Sequence, residues 1–219
     1  MLDEFVSLRI LFWSLDMLIR VFIVFFGLTL LLADPADAYA RKKRRVYKKR
    51  SVVLKPKKFI HYDGNFSILF PSSHGEIKGD TSNISTTFGP TEFYAYVSNG
   101  VQSASMIAFY ELDVKKVQEK DSVLAKNSKI LLDSLQQQLI ANLGGTMQRK
   151  VKIVREGLYH SRIAYFTAKG EGNKTVYFKC ENVYAPPRIY QLLYQSSIKN
   201  APDNAEAKKF FQSFSLKKK

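Results

Sequence analysis

Few residues in this chain have the type and spacing to do chemistry. Cys180 is the single cysteine, so no intrachain disulfide and no cysteine-built zinc site can form. His61, His74 and His160 are far apart, and none stands at a metal-ligand spacing from another. The stretch Gly170-Glu171-Gly172-Asn173-Lys174-Thr175 imitates a phosphate-cradling loop. That loop needs glycine directly before its lysine to bring backbone N–H groups onto phosphate, and Asn173 stands there instead. It reads as a hairpin turn. The chain also lacks a G-x-S-x-G elbow, an H-E-x-x-H helix and a glycine-rich dinucleotide fingerprint. Cys180, mid-strand between Lys179 and Glu181, reads as a small structural residue, and His61 and His160 as partly exposed residues near strand ends. No catalytic, cofactor-binding or metal-binding residue is assigned, and no cofactor is expected. Sequons at Asn65, Asn83 and Asn173 matter only where exported proteins are glycosylated.

The elements that would have to position any site begin with an uneven distribution of charge. The 219 residues carry 34 Lys plus Arg against 19 Asp plus Glu, a formal charge of +15, and 46% of the chain is hydrophobic. That hydrophobic share excludes a wholly disordered protein and suits one ordinary core. Residues 1–40 are net acidic, whereas every charge between Arg41 and Lys58 is basic. Lys217, Lys218 and Lys219 add a second basic end, so residues 59–216 are close to neutral. Reading the whole chain as a nucleic-acid-binding domain would mistake a tail for a surface, and specific nucleic-acid binding is not expected.

Residues 1–40 read as a signal peptide or, alternatively, a membrane anchor. Val21 to Ala33 (VFIVFFGLTLLLA) is uncharged, too short in helix for the ~30 Å hydrocarbon core, and of the length of a signal-peptide apolar region. Pro35 then breaks the chain, and Ala38 and Ala40 form the A-x-A pattern that signal peptidase accepts, which predicts cleavage after Ala40. Two features favour the anchor: the stretch before Arg20 is itself apolar, and the basic excess lies after the apolar run, where the positive-inside rule would hold it in the cytoplasm. Residues 41–58 have too much like charge to bury a core and read as a basic disordered linker. Its cluster Arg41, Lys42, Lys43, Arg44, Arg45, Lys48, Lys49 and Arg50 is the candidate for binding an anionic surface; a solvated spacer is the plainer alternative.

From residue 59 the pattern turns to short segments rich in Phe, Tyr, Val and Ile. Strands are expected at 59–62 and 66–70, joined by Asp63-Gly64, and at 84–88, 92–97 and 103–110, the last two joined by Asn99-Gly100. From Asp121 to Leu143 the period becomes helical, with Leu124, Leu131, Leu135 and Leu139 on one face; Asp133 and Gln136 fall elsewhere, and Gly144-Gly145 ends the helix. Strands follow at 149–155, 162–168, 175–183 and, after Pro186-Pro187, 188–196. A short helix starts at Asn200-Ala201-Pro202 and runs to about Phe211, before Phe214 and Leu216. The sum is an α+β fold: one antiparallel sheet built from hairpins and covered by one long and one short helix. Tyr94, Tyr96, Tyr110, Tyr159, Tyr165, Tyr177, Tyr184, Tyr190 and Tyr194 lie in or beside strands, as ordinary strand formers or, where they face outward, as a recognition patch.

The opening Tyr62-Asp63-Gly64-Asn65-Phe66-Ser67-Ile68-Leu69-Phe70-Pro71 and the long helix ending in Gly-Gly, with the closing Arg188-Ile189-Tyr190-Gln191-Leu192 and Phe210-Phe211-Gln212-Ser213-Phe214-Ser215-Leu216, resemble the PsbP-like superfamily. The likeness runs over nearly all of residues 59–216, with residues 217–219 left as a basic tail. It implies an α/β/α sandwich with a central twisted antiparallel sheet. Its motif residues are core and turn types, so no catalytic set transfers. The resemblance implies a non-enzymatic exported module, in the periplasm or outside the cell, that acts by surface contact with an envelope protein or anionic surface. The alternatives are a small enzyme with an unrecognised site and a membrane-anchored protein with an uncleaved leader.

Overall fold

In the computed structural model, residues 55–86, 89–112, 121–154 and 159–217 are described. The expected leader (1–40), with Ala38 and Ala40, and the cluster Arg41 to Arg50 lie outside them. The chain from Pro56 onward is one compact unit.

The first described strand, β1 (Lys57–His61), already takes in the last two lysines of the expected linker. It pairs with β2 (Phe66–Phe70) through a four-residue turn, His61 opposite Phe66. The left-handed residue of that turn is Asn65, at φ 55°, and not Gly64. Gly64 is needed for space: a Cβ there would lie 2.7 Å from the Phe66 ring and 2.9 Å from both His61 Nδ1 and the Phe109 ring.

β3 (Ile77–Thr86) starts earlier than the expected 84–88 and takes in the polar run Lys78-Gly79-Asp80. It is a strand because it pairs residue for residue with β4 (Gly89–Asn99), and as a sheet edge it has little apolar side to reveal it. β5 (Ser103–Glu111), β6 (Thr146–Val154), β7 (His160–Lys169), β8 (Thr175–Ala185) and β9 (Arg188–Ser196) complete an antiparallel seven-stranded sheet of order β3-β4-β5-β9-β8-β7-β6. β8 and β9 join through Pro186-Pro187, whose peptide is cis.

The opening hairpin does not extend this sheet. With β10 (Ser215–Leu216) on the far side of β2, it makes a separate antiparallel three-stranded sheet. The reason lies in the alternation of β2, whose Phe66, Ile68 and Phe70 are buried together. They pack with Ile107, Phe109, Val183, Tyr190, Leu192 and Tyr194 from one face of the large sheet and with Phe210, Phe211 and Phe214 from the chain's end. Lying flat over that face buries them; adding to its edge would not.

Phe210 and Phe211 belong to α2 (Ala205–Gln212), which starts later than Asn200-Ala201-Pro202 suggests. Residues 201–203 form a 3₁₀ turn, and the cap is Asn204, whose Oδ1 accepts from the Ala207 N–H at 2.7 Å.

The other face of the large sheet meets α1 (Asp121–Asn142) through Leu131, Leu132 and Leu135 against Tyr184 and Ile189. The buried line of α1 is Ser128, Leu132, Gln136 and Ile140, one position on from the expected Leu131–Leu135–Leu139 stripe, and the side chain of Leu124 lies outside the description. Gln136 is turned inward because its Nε2 donates to the Arg162 carbonyl at 2.7 Å. Asp133 faces the sheet as well, holding Arg162 and Lys150, each at 3.0 Å. The helix stops as expected: Gly144 is left-handed (φ 57°), and the Gly145 N–H returns to the Ile140 carbonyl at 2.8 Å.

The two kinds of glycine separate experimentally. In urea titrations Gly64→Ala is expected to lower the unfolding free energy by about 1–3 kcal/mol through overpacking, and Gly144→Ala by about 1–2 kcal/mol through backbone strain alone. An unchanged midpoint for Gly64→Ala would show that the hairpin tip is not seated on Phe109.

Candidate functional site

Among the described residues a concave site lies where β5 ends and β9 begins. Glu111 and Arg188 are cross-strand partners there. Arg188 donates from both Nε (2.6 Å) and Nη2 to one oxygen, Oε1, of Glu111. The Glu111 main chain is held from β4, whose Thr91 Oγ1 donates to its carbonyl at 2.7 Å. The next residue is tied to the cis-proline turn by the Leu112 N–H bond to the Pro187 carbonyl, also 2.7 Å.

Two cavities flank this ion pair, and both include Arg188 and Glu111 in their walls. The larger, about 370 Å³, is lined by Tyr159, Ala185, Pro186, Pro187, Tyr190 and Leu216, with Asn65 and Lys217 at its polar side. The smaller, about 240 Å³, is lined by Asp63, Thr91, Glu92, Tyr94 and Phe109. The hairpin tip closes the arrangement from above: Tyr190 donates its hydroxyl to the Gly64 carbonyl at 2.8 Å. Asn65 and Lys217 exchange hydrogen bonds, Nδ2 to the Lys217 carbonyl and the Lys217 N–H to the Asn65 carbonyl, both 3.0 Å. Burial pushes the Tyr190 phenol above its usual range, so it stays a neutral donor.

Aromatic rings stiffen the smaller cavity. Tyr94 and Phe109 stack with centroids 4.8 Å apart at 8°, and the Tyr94 hydroxyl donates to the Glu92 carboxylate. The Arg188 guanidinium carbon lies 5.9 Å from the Phe109 centroid. The nearby His61 accepts the Gly64 N–H on Nδ1 at 2.7 Å, which leaves Nε2 protonated to donate to the Tyr96 hydroxyl at 2.5 Å. The arrangement can hold a ligand by shape, ring contact and charge.

Three of the nine strand tyrosines, Tyr94, Tyr159 and Tyr190, converge on these cavities; the others are spread over the sheet. Cys180 is fully buried, its Sγ 3.6 Å from Asn182 Oδ1, and burial pushes its thiol far above the usual range. His160 begins β7, half-buried. Among the described residues no group of three or more His, Cys, Asp and Glu could hold a metal ion, and no helix is long and apolar enough to cross a membrane. Arg188, Glu111, Asp63 and Lys217 carry the cavities yet were not legible as site residues. The one local signal was Pro186-Pro187 directly before Arg188, which reads equally well as a chain break.

A second polar cluster pairs an imidazole with two hydroxyls. His74 is 3% exposed, with Nε2 at 2.8 Å from Ser103 Oγ and Nδ1 at 3.0 Å from Ser105 Oγ. Ser103 and Glu111 stand at opposite ends of β5, some eight residues or about 27 Å apart, so this pair lies away from the cavities. It pins the loop after β2: Lys57 Nζ donates to the His74 carbonyl at 3.2 Å, and Ser72 and Ser73 hydroxyls donate to Glu206 of α2 at 3.0 and 2.7 Å. Burial lowers the His74 pKa, with Glu206 opposing and Lys57 assisting; burial also lowers that of His61, with Asp63 opposing and Arg188 assisting. Both lie below the ordinary value of about 6.5, so the unfolded chain takes up more protons on acidification. The stability present above pH ~6.5 is therefore lost as pH falls through the lowered values. Denaturation midpoints should drop between about pH 7 and about pH 5, and a His61→Asn/His74→Asn double variant should show a shallower drop.

No family model and no curated protein matches this chain. Among solved structures it is similar to a Pseudomonas aeruginosa protein of unknown function, at 9% identity over 75% of this chain and 97% of that one, with a TM-score of 0.34. That likeness is too low to assign a fold family or a role.

Proposed function

We propose that this chain is an exported, non-enzymatic binding module of the PsbP-like α/β/α type, which engages an envelope protein through the paired cavities around Arg188 and Glu111. One observation carries the reading: a concave site framed by hydrogen bonds and lined by tyrosine, proline and paired charges. Tyrosine and arginine are the side chains that supply most contact energy at protein interfaces, because they present large area and several donors at low entropic cost. The layers suit the sandwich reading, with α1 against one face of the large sheet and the small sheet with α2 against the other. In this reading the leader is removed after Ala40, and the basic segment from Arg41 holds the module near anionic surfaces.

Two experiments test it. N-terminal sequencing of the protein from its native cell should find Arg41 first; an intact Met1 would replace export by the membrane-anchored alternative. A photo-crosslinking residue at Pro187 should give a discrete protein adduct in cells. The same residue at the exposed Lys174, in the turn before β8, should give none. Adducts of equal yield at both positions, or none at Pro187, would remove the cavities as the contact site.

A further inference from the structure

We infer that the larger cavity takes a carboxylate carried on an apolar group, and this rests on the reading above that the cavities are where a partner binds. Its walls divide by chemistry. Ala185, Pro186, Pro187, Leu216 and the rings of Tyr159 and Tyr190 offer an apolar surface that a hydrocarbon body would desolvate. The charged residues that line it are Arg188, Glu111 and Lys217.

Arg188 and Glu111 balance each other, both guanidinium donors falling on the same carboxylate oxygen. Lys217 has no such balance. Its main chain is fixed to Asn65, its ammonium lies 3.9 Å from the centroid of the Tyr62 ring, and among the described residues it meets no carboxylate. The larger cavity therefore carries a net positive charge. Across the ion pair the sign reverses, because the smaller cavity sets Asp63, Glu92 and Glu111 against Arg188 alone. An anion is drawn to the proline side and repelled from the tyrosine–glutamate side, which gives a bound ligand one orientation. The cations are only part-buried, so the gain from charge is modest and the apolar walls must supply the rest.

Such a carboxylate can come from a small arylalkanoic acid or from the C-terminus of a polypeptide that ends in an apolar residue. Four probes separate the sources: 3-phenylpropionate, its amide, the peptide acetyl-Ala-Ala-Phe with a free C-terminus, and the same peptide amidated. Amide NMR shifts of the ¹⁵N-labelled full chain report binding at Ala185, Arg188 and Leu216. The expected result is saturable shifts with a free acid, roughly tenfold weaker binding of the matching amide, and loss of that preference in Lys217→Gln. Lys217 is only half-buried near the chain end, so that variant is expected to keep the fold. Binding of the peptide acid alone points to a chain terminus, and binding of both acids to the shared group.

Equal binding of acid and amide, or no shift with any probe, overturns the inference. A Pro187 adduct in cells without acid preference leaves the binding-module reading standing and removes only the ligand class. Acid preference without an adduct leaves the cavity as a carboxylate site and removes the envelope protein as its partner.

Discussion

The rest of this structure depends on one burial event: the aromatic strip of β2 and the aromatic end of the chain must leave water on the same face of the large sheet. Phe66, Ile68, Phe70, Phe210, Phe211 and Phe214 come from the two ends of the described domain, and none can be covered by its own hairpin or helix. Their rings interlock, Phe70 on Phe210 at 5.6 Å and Phe66 on Phe214 at 6.0 Å. Truncating one such ring to alanine typically costs about 3–5 kcal/mol, a large share of what holds a domain of this size. Polar contacts follow the same seam. Ser213 Oγ accepts the Leu69 N–H at 2.8 Å and donates to the Phe210 carbonyl at 2.8 Å, which closes the edge of β2 where β10 stops.

The cavities are a consequence of that seam. Once β2 is laid over the sheet, the hairpin tip reaches Tyr190 through the Gly64 carbonyl and the chain end reaches Asn65 through Lys217. The β8–β9 turn then stands opposite them, and the space between is what Arg188 and Glu111 divide. A site built this way is framed by hydrogen bonds to the main-chain carbonyls of Gly64, Asn65, Glu111, Pro187 and Lys217, so its walls are held more firmly than a free loop would be.

The opposite face obeys a different rule. Under α1 the apolar contacts of Tyr184 and Ile189 are joined by a buried charge, Arg162, matched to Asp133 of the helix, an arrangement that costs stability unless each group is paired. Lys179, on the first face, is 7% exposed and sits 4.6 Å from the Phe211 ring centroid, with burial lowering its pKa. Ion pairing and ring contact are what allow these charges inside a largely aromatic and aliphatic core.

Much of the secondary structure was legible in local pattern. Alternation in Phe66-Ser67-Ile68-Leu69-Phe70, the turn at Asn99-Gly100 and the Gly144-Gly145 stop all act through neighbours within a few residues, and they appear where the spacing places them. β3 was legible only at its end, because a polar edge strand is specified by its partner and not by its own side chains. The inward turn of Gln136 and Asp133 was illegible for a similar reason: helical periodicity reports apolar residues, and these two are buried by hydrogen bonds to a strand met later in the chain.

By itself, then, the sequence determined the antiparallel hairpins, the two helices among the described residues and the charge asymmetry between ends and body, since these follow from short-range sterics and composition. Only the tertiary structure decided that the first hairpin leaves the main sheet, which tyrosines share a cavity, and that Arg188 meets Glu111 across a strand pair. Those outcomes depend on contacts between residues as far apart as Asn65 and Lys217, and no local pattern encodes which distant surface will bury a given face.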